Sequence, residues 1–292
     1  MGVTEDFEKF CKNIRMDDDT VETISNRCKR ITQRLNMDFW DSWSDTNHSF
    51  YSGSYGRGTE TKTSDIDLVM VLPSSTYRKY DAYTSNGQSA LLQAVKNSIE
   101  KTYANTDVGG DGQVVVVKFS DGMRFEVVPA FECNDGTYLY PDSNNGGSWK
   151  SMDPKAEINA FNTMNAKCNK NLKRLCRMAR EWNKKNGVCM KGIIIDTAAY
   201  RFISDYEYKD KSYLYYDWMS RDFMKYLYDN ADKEYWVVPG SYWHAKNAYS
   251  FKREANEGYE RCVAAIKADS DGYPYTCHTK WREHYGTKFP EA

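Results

Sequence analysis

The sequence predicts an α+β chain of two lobes, a first lobe built on a mixed sheet with flanking helices and a helical second lobe. Three observations carry this. The chain has 292 residues, and single hydrophobic cores usually split before about 250–300 residues. Short β-rich runs at residues 65–72, 114–119 and 123–128 all precede residue 150, and turn residues bound them. From Asp153-Pro154 onward, apolar residues recur at spacings of three and four, the helical period. Residues 138–152 are rich in Gly, Asn and Ser and read as a linker, so the lobes are expected at 1–150 and 151–292.

Within the first lobe, Asp17-Asp18-Asp19-Thr20 supplies an N-cap and acids favoured at a helix N-terminus. Val21, Ile24, Cys28, Ile31 and Leu35 follow on one stripe, so a long amphipathic helix is expected as a scaffold. Ser49-Phe50-Tyr51-Ser52 reads as a short strand leading into Gly53-Ser54. In Asp65-Ile66-Asp67-Leu68, alternation turns the two aspartates to one face and the apolar pair to the other. Pro73 has no N–H and closes that strand. Leu91, Leu92, Val95, Ile99 and Tyr103 mark a helix. Gly109-Gly110-Asp111-Gly112 reads as a flexible connector, and Ser120-Asp121-Gly122 as a hairpin turn. That turn places Glu126 inside a strand, among Phe125, Val127 and Val128, where a carboxylate is costly to bury without a positive partner.

In the second lobe, Pro154 suits the first turn of a helix carrying Ala156, Ile158, Phe161 and Met164. Asn159, Asn162 and Asn165 line one flank; amides donate and accept, so the row suits a base edge, although such rows more often serve as a polar face. Next, Cys168, Leu172, Leu175, Ala179 and Trp182 gather on one helix side, with Lys167, Lys170, Lys173, Arg174, Arg177, Arg180 and Lys184 opposite. Like charges at i,i+4 cost roughly a few tenths of a kcal/mol each, so this arc reads as a solvated face or as a contact for an anion. Lys191 opens another buried element. Leu214, Trp218, Tyr226 and Leu227 are expected in the core, and residues 237–241 as a breaker. A last helix over 249–268 would turn Cys262, Val263 and Ile266 inward. The terminal Phe289-Pro290-Glu291-Ala292 reads as loose.

Composition narrows the function. A net charge of -1 and a pI near 6.5 argue against a long nucleic-acid activator and make any nucleotide site local. Eight Cys without CxxC pairs and no secretory h-region point to a reduced, cytoplasmic protein. No apolar run approaches the ~20 residues of a membrane span. Cys277, His278 and His284 lack the paired spacing of a structural zinc site.

The chemistry concentrates in Ser52-Gly53-Ser54-Tyr55-Gly56-Arg57-Gly58-Thr59 and the acids after it. Glycine has no Cβ to hold phosphate oxygens away from backbone N–H groups, and two carboxylates on one strand face are placed to share a pair of Mg²⁺ ions. Gly53-Ser54, ten intervening residues and Asp65-Ile66-Asp67 resemble the signature of DNA-polymerase-β-like nucleotidyltransferases. With Ser64 before the acids, and Phe125-Glu126-Val127-Val128-Pro129-Ala130-Phe131 later, the chain is similar to the CD-NTases. These are the cyclic-oligonucleotide synthases of CBASS anti-phage defence, relatives of animal cyclic GMP-AMP synthase and 2′-5′ oligoadenylate synthetase.

The resemblance implies a polymerase-β-like lobe, a mixed sheet with flanking helices, plus a helical oligoadenylate-synthetase-like lobe, with the active site in the cleft between them. It implies condensation of NTPs, ATP among them, into a cyclic di- or oligonucleotide that activates a downstream effector. Asp65 and Asp67 would bridge two Mg²⁺ ions, with Mn²⁺ as a substitute, and Glu126 would hold the hydroxyl-side ion and accept a proton. Most relatives carry Asp at that third position; glutamate is one methylene longer. Gly53 and Ser54 would hold a phosphate. Arg180 and Lys191 match basic residues that reach the triphosphate, and Asn162 is the candidate base contact. The aromatic that stacks on a base in the animal synthase has no counterpart at Val188 and Cys189, which leaves Tyr200, Tyr242 and Trp243 as candidates. That enzyme's zinc-bearing insertion is absent. The end at Ala292 resembles tails that some relatives have conjugated to other proteins, so a protein regulator or C-terminal conjugation is a further expectation. Two other readings stand beside this one: nucleotidyl transfer to an RNA end, protein hydroxyl or small-molecule acceptor, and an inactive nucleotide-binding module.

Overall fold

The computed structural model describes residues 2–62 and 65–292; Ser64, which opens the acidic motif, lies outside the described residues. In chain order the elements are α1 (Val3–Asn13), α2 (Asp18–Phe39), β1 (Ser49–Tyr51), α3 (Gly53–Arg57), β2 (Ile66–Val71), α4 (Ser74–Asp81), α5 (Gly87–Glu100), β3 (Asp107–Asp111), β4 (Val114–Lys118), β5 (Arg124–Glu132), β6 (Tyr138–Asp142), β7 (Ser148–Met152), α6 (Pro154–Lys167), α7 (Asn171–Lys185), α8 (Gly192–Asp205), α9 (Tyr216–Asp229), β8 (Tyr235–Val237), β9 (His244–Lys246), α10 (Lys252–Ser270) and α11 (Pro274–Tyr285). None of the described helices is long and apolar enough to cross a membrane.

The chain divides into two compact units, Asp17–Gly56 with Thr63–Lys155, and Met1–Met16 with Arg57–Lys62 and Ala156–Ala292. A contiguous split at 150/151 was the expectation. The break instead follows Lys155, and two early segments join the C-terminal unit. Phe7 and Phe10 explain the first of these: both are fully buried in that unit's core.

The unit built around residues 17–56 and 63–155 is a mixed sheet with flanking helices. Its strand order is β1-β2-β5-β4-β3, with β6 and β7 extending from β5. β2 and β5 run parallel, whereas β1 pairs with β2, and β4 with β5, antiparallel. α2 begins as expected, with the Asp17 side chain accepting from Thr20 N at 2.8 Å. Ile24, Cys28, Ile31 and Leu35 are buried, but Val21 faces outward. α2 and α5 pack on the sheet. The turn at Ser120-Asp121-Gly122 closes the β4–β5 hairpin, with Gly122 at φ 86°.

Two readings in this unit are corrected. Gly109-Gly110-Asp111 is not a connector but most of β3, paired with β4; ladder hydrogen bonds come from the backbone and tolerate missing side chains. Residues 138–152 are not a linker but the β6–β7 hairpin. Tyr138 is fully buried beside Val69 and Ala130, while Asn145, Gly146 and Gly147 supply left-handed turn positions.

The other unit is helical, with one core drawn from α1 and α6–α11. Leu172, Leu175, Ala179 and Trp182 form the buried stripe of α7, and Cys168, just before the helix, is buried with them. Three expectations change here. Leu214, in the turn before α9, and Trp218 are exposed; the inward face of α9 is Tyr216, Met219, Phe223 and Leu227. Cys262 is buried but Val263 is exposed, and α10 is followed by α11. The C-terminal segment is packed: Phe289 lies among the rings of Phe7, Phe10 and Trp281.

Candidate functional site

The turn at Gly53 is built against the second aspartate. Ser52 N donates to Asp67 O at 2.9 Å, and Gly56 N to Ser52 O at 2.7 Å, which opens α3 directly beside β2. Gly53 sits at φ 54°, and a Cβ there would lie 1.8 Å from Asp67 Oδ2. Glycine is therefore required both by the left-handed backbone and by the carboxylate that takes the space.

Alternation in β2 behaves as the sequence implies. Ile66 and Leu68 are buried, while Asp67 stands on the opposite face, in register with Glu126 of β5. Asp65 immediately precedes the strand. Arg124, two residues before Glu126 and so on the same face, joins these acids: its guanidinium lies 2.8 Å from Glu126 Oε1, 3.2 Å from Asp65 Oδ2 and 3.9 Å from Asp111 Oδ2. Burial and then the neighbouring Asp67 push the Glu126 carboxyl above its ordinary range; Arg124 opposes them, and Asp65 and Asp111 add to the rise. Burial and the neighbouring acids together thus outweigh what one guanidinium relieves.

That donor set suits a divalent cation. All three side chains offer hard carboxylate oxygens, two of them are cross-strand neighbours, and Glu126 is half-buried beside another carboxylate, where a cation would relieve both the burial and the repulsion. Among the described residues no three His, Cys, Asp or Glu side chains already stand as a closed ligand group, and Arg124 lies between Asp65 and Glu126.

In the helical unit a second cluster surrounds Asp196, which is fully buried in α8. Arg57 reaches its Oδ2 through Nε and Nη2 at 3.2 and 3.1 Å, and Thr59 Oγ1 donates to the same oxygen at 2.6 Å. Arg180 closes the other side, with Nε 3.1 Å from Oδ1 and Nη2 2.7 Å from Oδ2. Burial alone would raise Asp196, but Arg180 and Arg57, with the hydrogen bonds, outweigh it and hold the carboxyl below its usual range. Arg57 Nη1 also pairs with Glu157 at 3.0 Å, to which Ser241 donates at 2.9 Å. Arg177 binds Glu60 through its backbone oxygen and its carboxylate, both at 3.0 Å. Residues 57–60, directly after the glycine turn, are thereby fixed by side chains of α6, α7 and α8.

The remaining expected residues are distributed as follows. Lys191 is the exposed N-cap of α8, next to Gly192, where a Cβ would meet Arg180 Nη1 at 2.5 Å. Asn162 accepts from Lys173 Nζ at 2.6 Å and Asn165 from Lys173 N at 3.0 Å, so the amide row fastens α6 to α7. Tyr200 packs on Phe161, whereas Tyr242 and Trp243 are exposed. His278 sits between Asp6 and the Pro290 carbonyl, and His284 is buried beside Cys262. The sequence reading missed Arg124 and the Arg57–Asp196 pair. A signal existed for each: Arg124 shares a strand face with Glu126, and Asp196 follows three isoleucines, where a carboxylate needs a partner.

The SMODS model, described as the Second Messenger Oligonucleotide or Dinucleotide Synthetase domain, matches residues 1–165, more than half of the chain. A probable cyclic nucleotide synthase of Bacillus cereus is 23% identical, across 82% of this chain and 81% of its own. Among solved structures, CdnC of E. coli MS115-1 in complex with HORMA-deltaN superposes with a TM-score of 0.70 over 98% of both chains at 15% identity. The same protein with ATP gives 0.68, at 16% identity and the same 98% coverage of both chains. The CD-NTase CdnG of Bradyrhizobium diazoefficiens with GTP gives 0.68 over 99% of this chain and 96% of that one, at 9% identity. The structural likenesses show the polymerase-β-like fold, and the domain match supplies the family: the chain belongs to the second messenger oligonucleotide or dinucleotide synthetases, and is a nucleotidyltransferase.

Proposed function

We propose that this chain condenses NTPs, ATP among them, into a cyclic di- or oligonucleotide, and that Asp65, Asp67 and Glu126 hold two Mg²⁺ ions for the reaction. The observation that carries the site assignment is the packing of Gly53 on Asp67 with Asp67 in register against Glu126. Bound there, the ions would neutralise the triphosphate and acidify the attacking hydroxyl. Glu126, on the hydroxyl-side ion, would be the acceptor for the hydroxyl proton. Ser54 holds a phosphate through its hydroxyl and N–H, in the turn that Gly53 opens. Lys191 neutralises the triphosphate tail, with Arg180 beside it on the Gly192 backbone. Arg124 keeps Asp65 and Glu126 from repelling apart before a cation arrives.

The ATP-bound CdnC and GTP-bound CdnG structures support nucleoside triphosphates as substrates, and the CdnC–HORMA-deltaN complex supports a protein regulator. The product would act on a downstream effector in anti-phage defence. The test is incubation of the pure chain with labelled NTPs and Mg²⁺, with and without an RNA or protein acceptor. A phosphatase-resistant product without acceptor, lost in Asp65→Asn/Asp67→Asn, is the expected result. Label transferred only when an acceptor is present would instead assign the chain to acceptor modification, and no pyrophosphate release under any condition would leave a binding module.

A further inference from the structure

A cavity of about 530 Å³ lies within the helical unit, and its chemistry is one-sided. Lys12 and Arg15 line it from the α1 end, and Lys170, Lys173, Arg174 and Arg177 from the start of α7; Glu8 is the single acid in the lining. Among the described residues, Arg177 has an ion-pair partner in Glu60, while the other five bases form no ion pair. Holding so many cations together costs stability through like-charge repulsion, and the cost shows at Lys173: burial and then the Arg177 charge weaken its hold on its proton.

These bases are nonetheless braced. Lys173 Nζ is fixed by Asn162. Arg174 lies over the Tyr213 ring at 4.9 Å and donates to Asn171 Oδ1 at 3.1 Å. Lys170 holds a left-handed backbone at φ 64°, a conformation that is strained for a non-glycine residue. Braced cations in excess of the acids around a concave space are the arrangement that binds anions with little ordering cost. The guanidinium groups of Arg15 and Arg174 suit phosphate oxygens, while Arg177 is held on Glu60, and the volume falls within the ~300–1,000 Å³ of small-molecule sites.

We propose that this cavity is a binding site for a compact oligophosphate, distinct from the catalytic residues. None of Gly53, Ser54, Asp65, Asp67, Glu126, Arg180 or Lys191 lines it, so the inference goes beyond the synthase reading and does not depend on it.

The experiment is calorimetric titration of inorganic tripolyphosphate, without divalent metal, into the full-length chain carrying Asp65→Asn and Asp67→Asn. Adding Arg15→Glu and Lys170→Glu is expected to weaken binding at least about tenfold, the scale of losing a charge-assisted hydrogen bond. The same charge change at Lys246 and Lys267, away from the cavity, is expected to leave affinity within about twofold. Should the reversed pair unfold, Lys12→Gln with Arg15→Gln replaces it. ATP in a parallel titration separates the sources: affinity equal to or above that of tripolyphosphate marks nucleotide phosphates, and weaker affinity marks a free phosphate chain. Equal affinity in the cavity variant and the control overturns the proposal. So does a duplex RNA of about 16 base pairs, the span of a double-strand reader, that binds more tightly than tripolyphosphate through the same residues.

Discussion

Asp67 occupies the space a side chain on Gly53 would need: a Cβ there would sit 1.8 Å from Oδ2, on a backbone already at φ 54°. Gly53→Ala must therefore displace the carboxylate as well as strain the turn. Left-handed strain costs about 1–2 kcal/mol, and a displacement of about 1 Å at a reacting centre costs on the order of a hundredfold in rate. A hundredfold loss of nucleotide incorporation is expected. Gly109→Ala, where an added Cβ meets open space, is expected to change neither rate nor stability. Full incorporation by Gly53→Ala would separate the turn from the chemistry.

Asp196 is the anchor of the helical unit's charged cluster. Its carboxyl is held below the usual range, because Arg180 and Arg57 outweigh its burial. Its stabilisation is therefore complete above the unfolded value near 3.9 and is lost as pH falls through the lower folded value. Asp196→Asn would leave two guanidiniums facing one amide, and removing one partner of a buried pair typically costs about 3–5 kcal/mol. Urea denaturation at pH 7 should show a loss of that size. A loss under about 1 kcal/mol, the scale of a surface pair, would mean that the cluster is solvated.

Much of this was legible in the sequence where one local rule decides. Alternation set the faces of Asp65 and Asp67, a cap and a stripe set α2, and a Pro at the first turn set α6. The catalytic candidates came from the spacing of the turn and the acids together with the family resemblance that this spacing carries. What stayed hidden depends on partners far along the chain. Arg57 and Asp196 are 139 residues apart, and no periodicity links them. β6 and β7 were obscured because the turn residues Asn145, Gly146 and Gly147 dominate a short window, although Tyr138 and Trp149 flank them. Trp218 was assigned to the core for its size, whereas register on α9 chose Tyr216 and Phe223 instead, and Leu214 lies in the turn before that helix.

Asp217 gives the fold a pH dependence of its own. It opens α9, is nearly buried, and burial raises its carboxyl from 3.8 to about 6, against the Trp218 N–H that it accepts. The folded state then binds this proton more tightly than the unfolded chain, so stability falls as pH rises from about 4 to about 6. A shift of this size is worth about 3 kcal/mol. Asp217→Asn is expected to raise the denaturation midpoint at pH 7.5 and to leave it unchanged at pH 4. An equal effect at both values would locate the change in packing rather than in ionisation.

Phe289 ties the end of the chain to its beginning. Its ring centroid lies 5.3 Å from that of Phe7 and 5.4 Å from that of Phe10, and Arg282 donates to its carbonyl at 2.9 Å. Phe7 and Phe10 of α1 both pack on this ring as well as on Tyr285, so losing it loosens the packing at both termini. Phe289→Ala should cost about 3–5 kcal/mol, the range for emptying a packed aromatic site. Deleting Glu291 and Ala292, both exposed, removes one surface ion pair to Arg282 and should cost less than about 1 kcal/mol. Thermal denaturation of both variants, with hydrogen exchange in residues 3–13, separates the outcomes: faster exchange there in Phe289→Ala alone is expected, and unchanged exchange would show that α1 is held without the aromatic cluster.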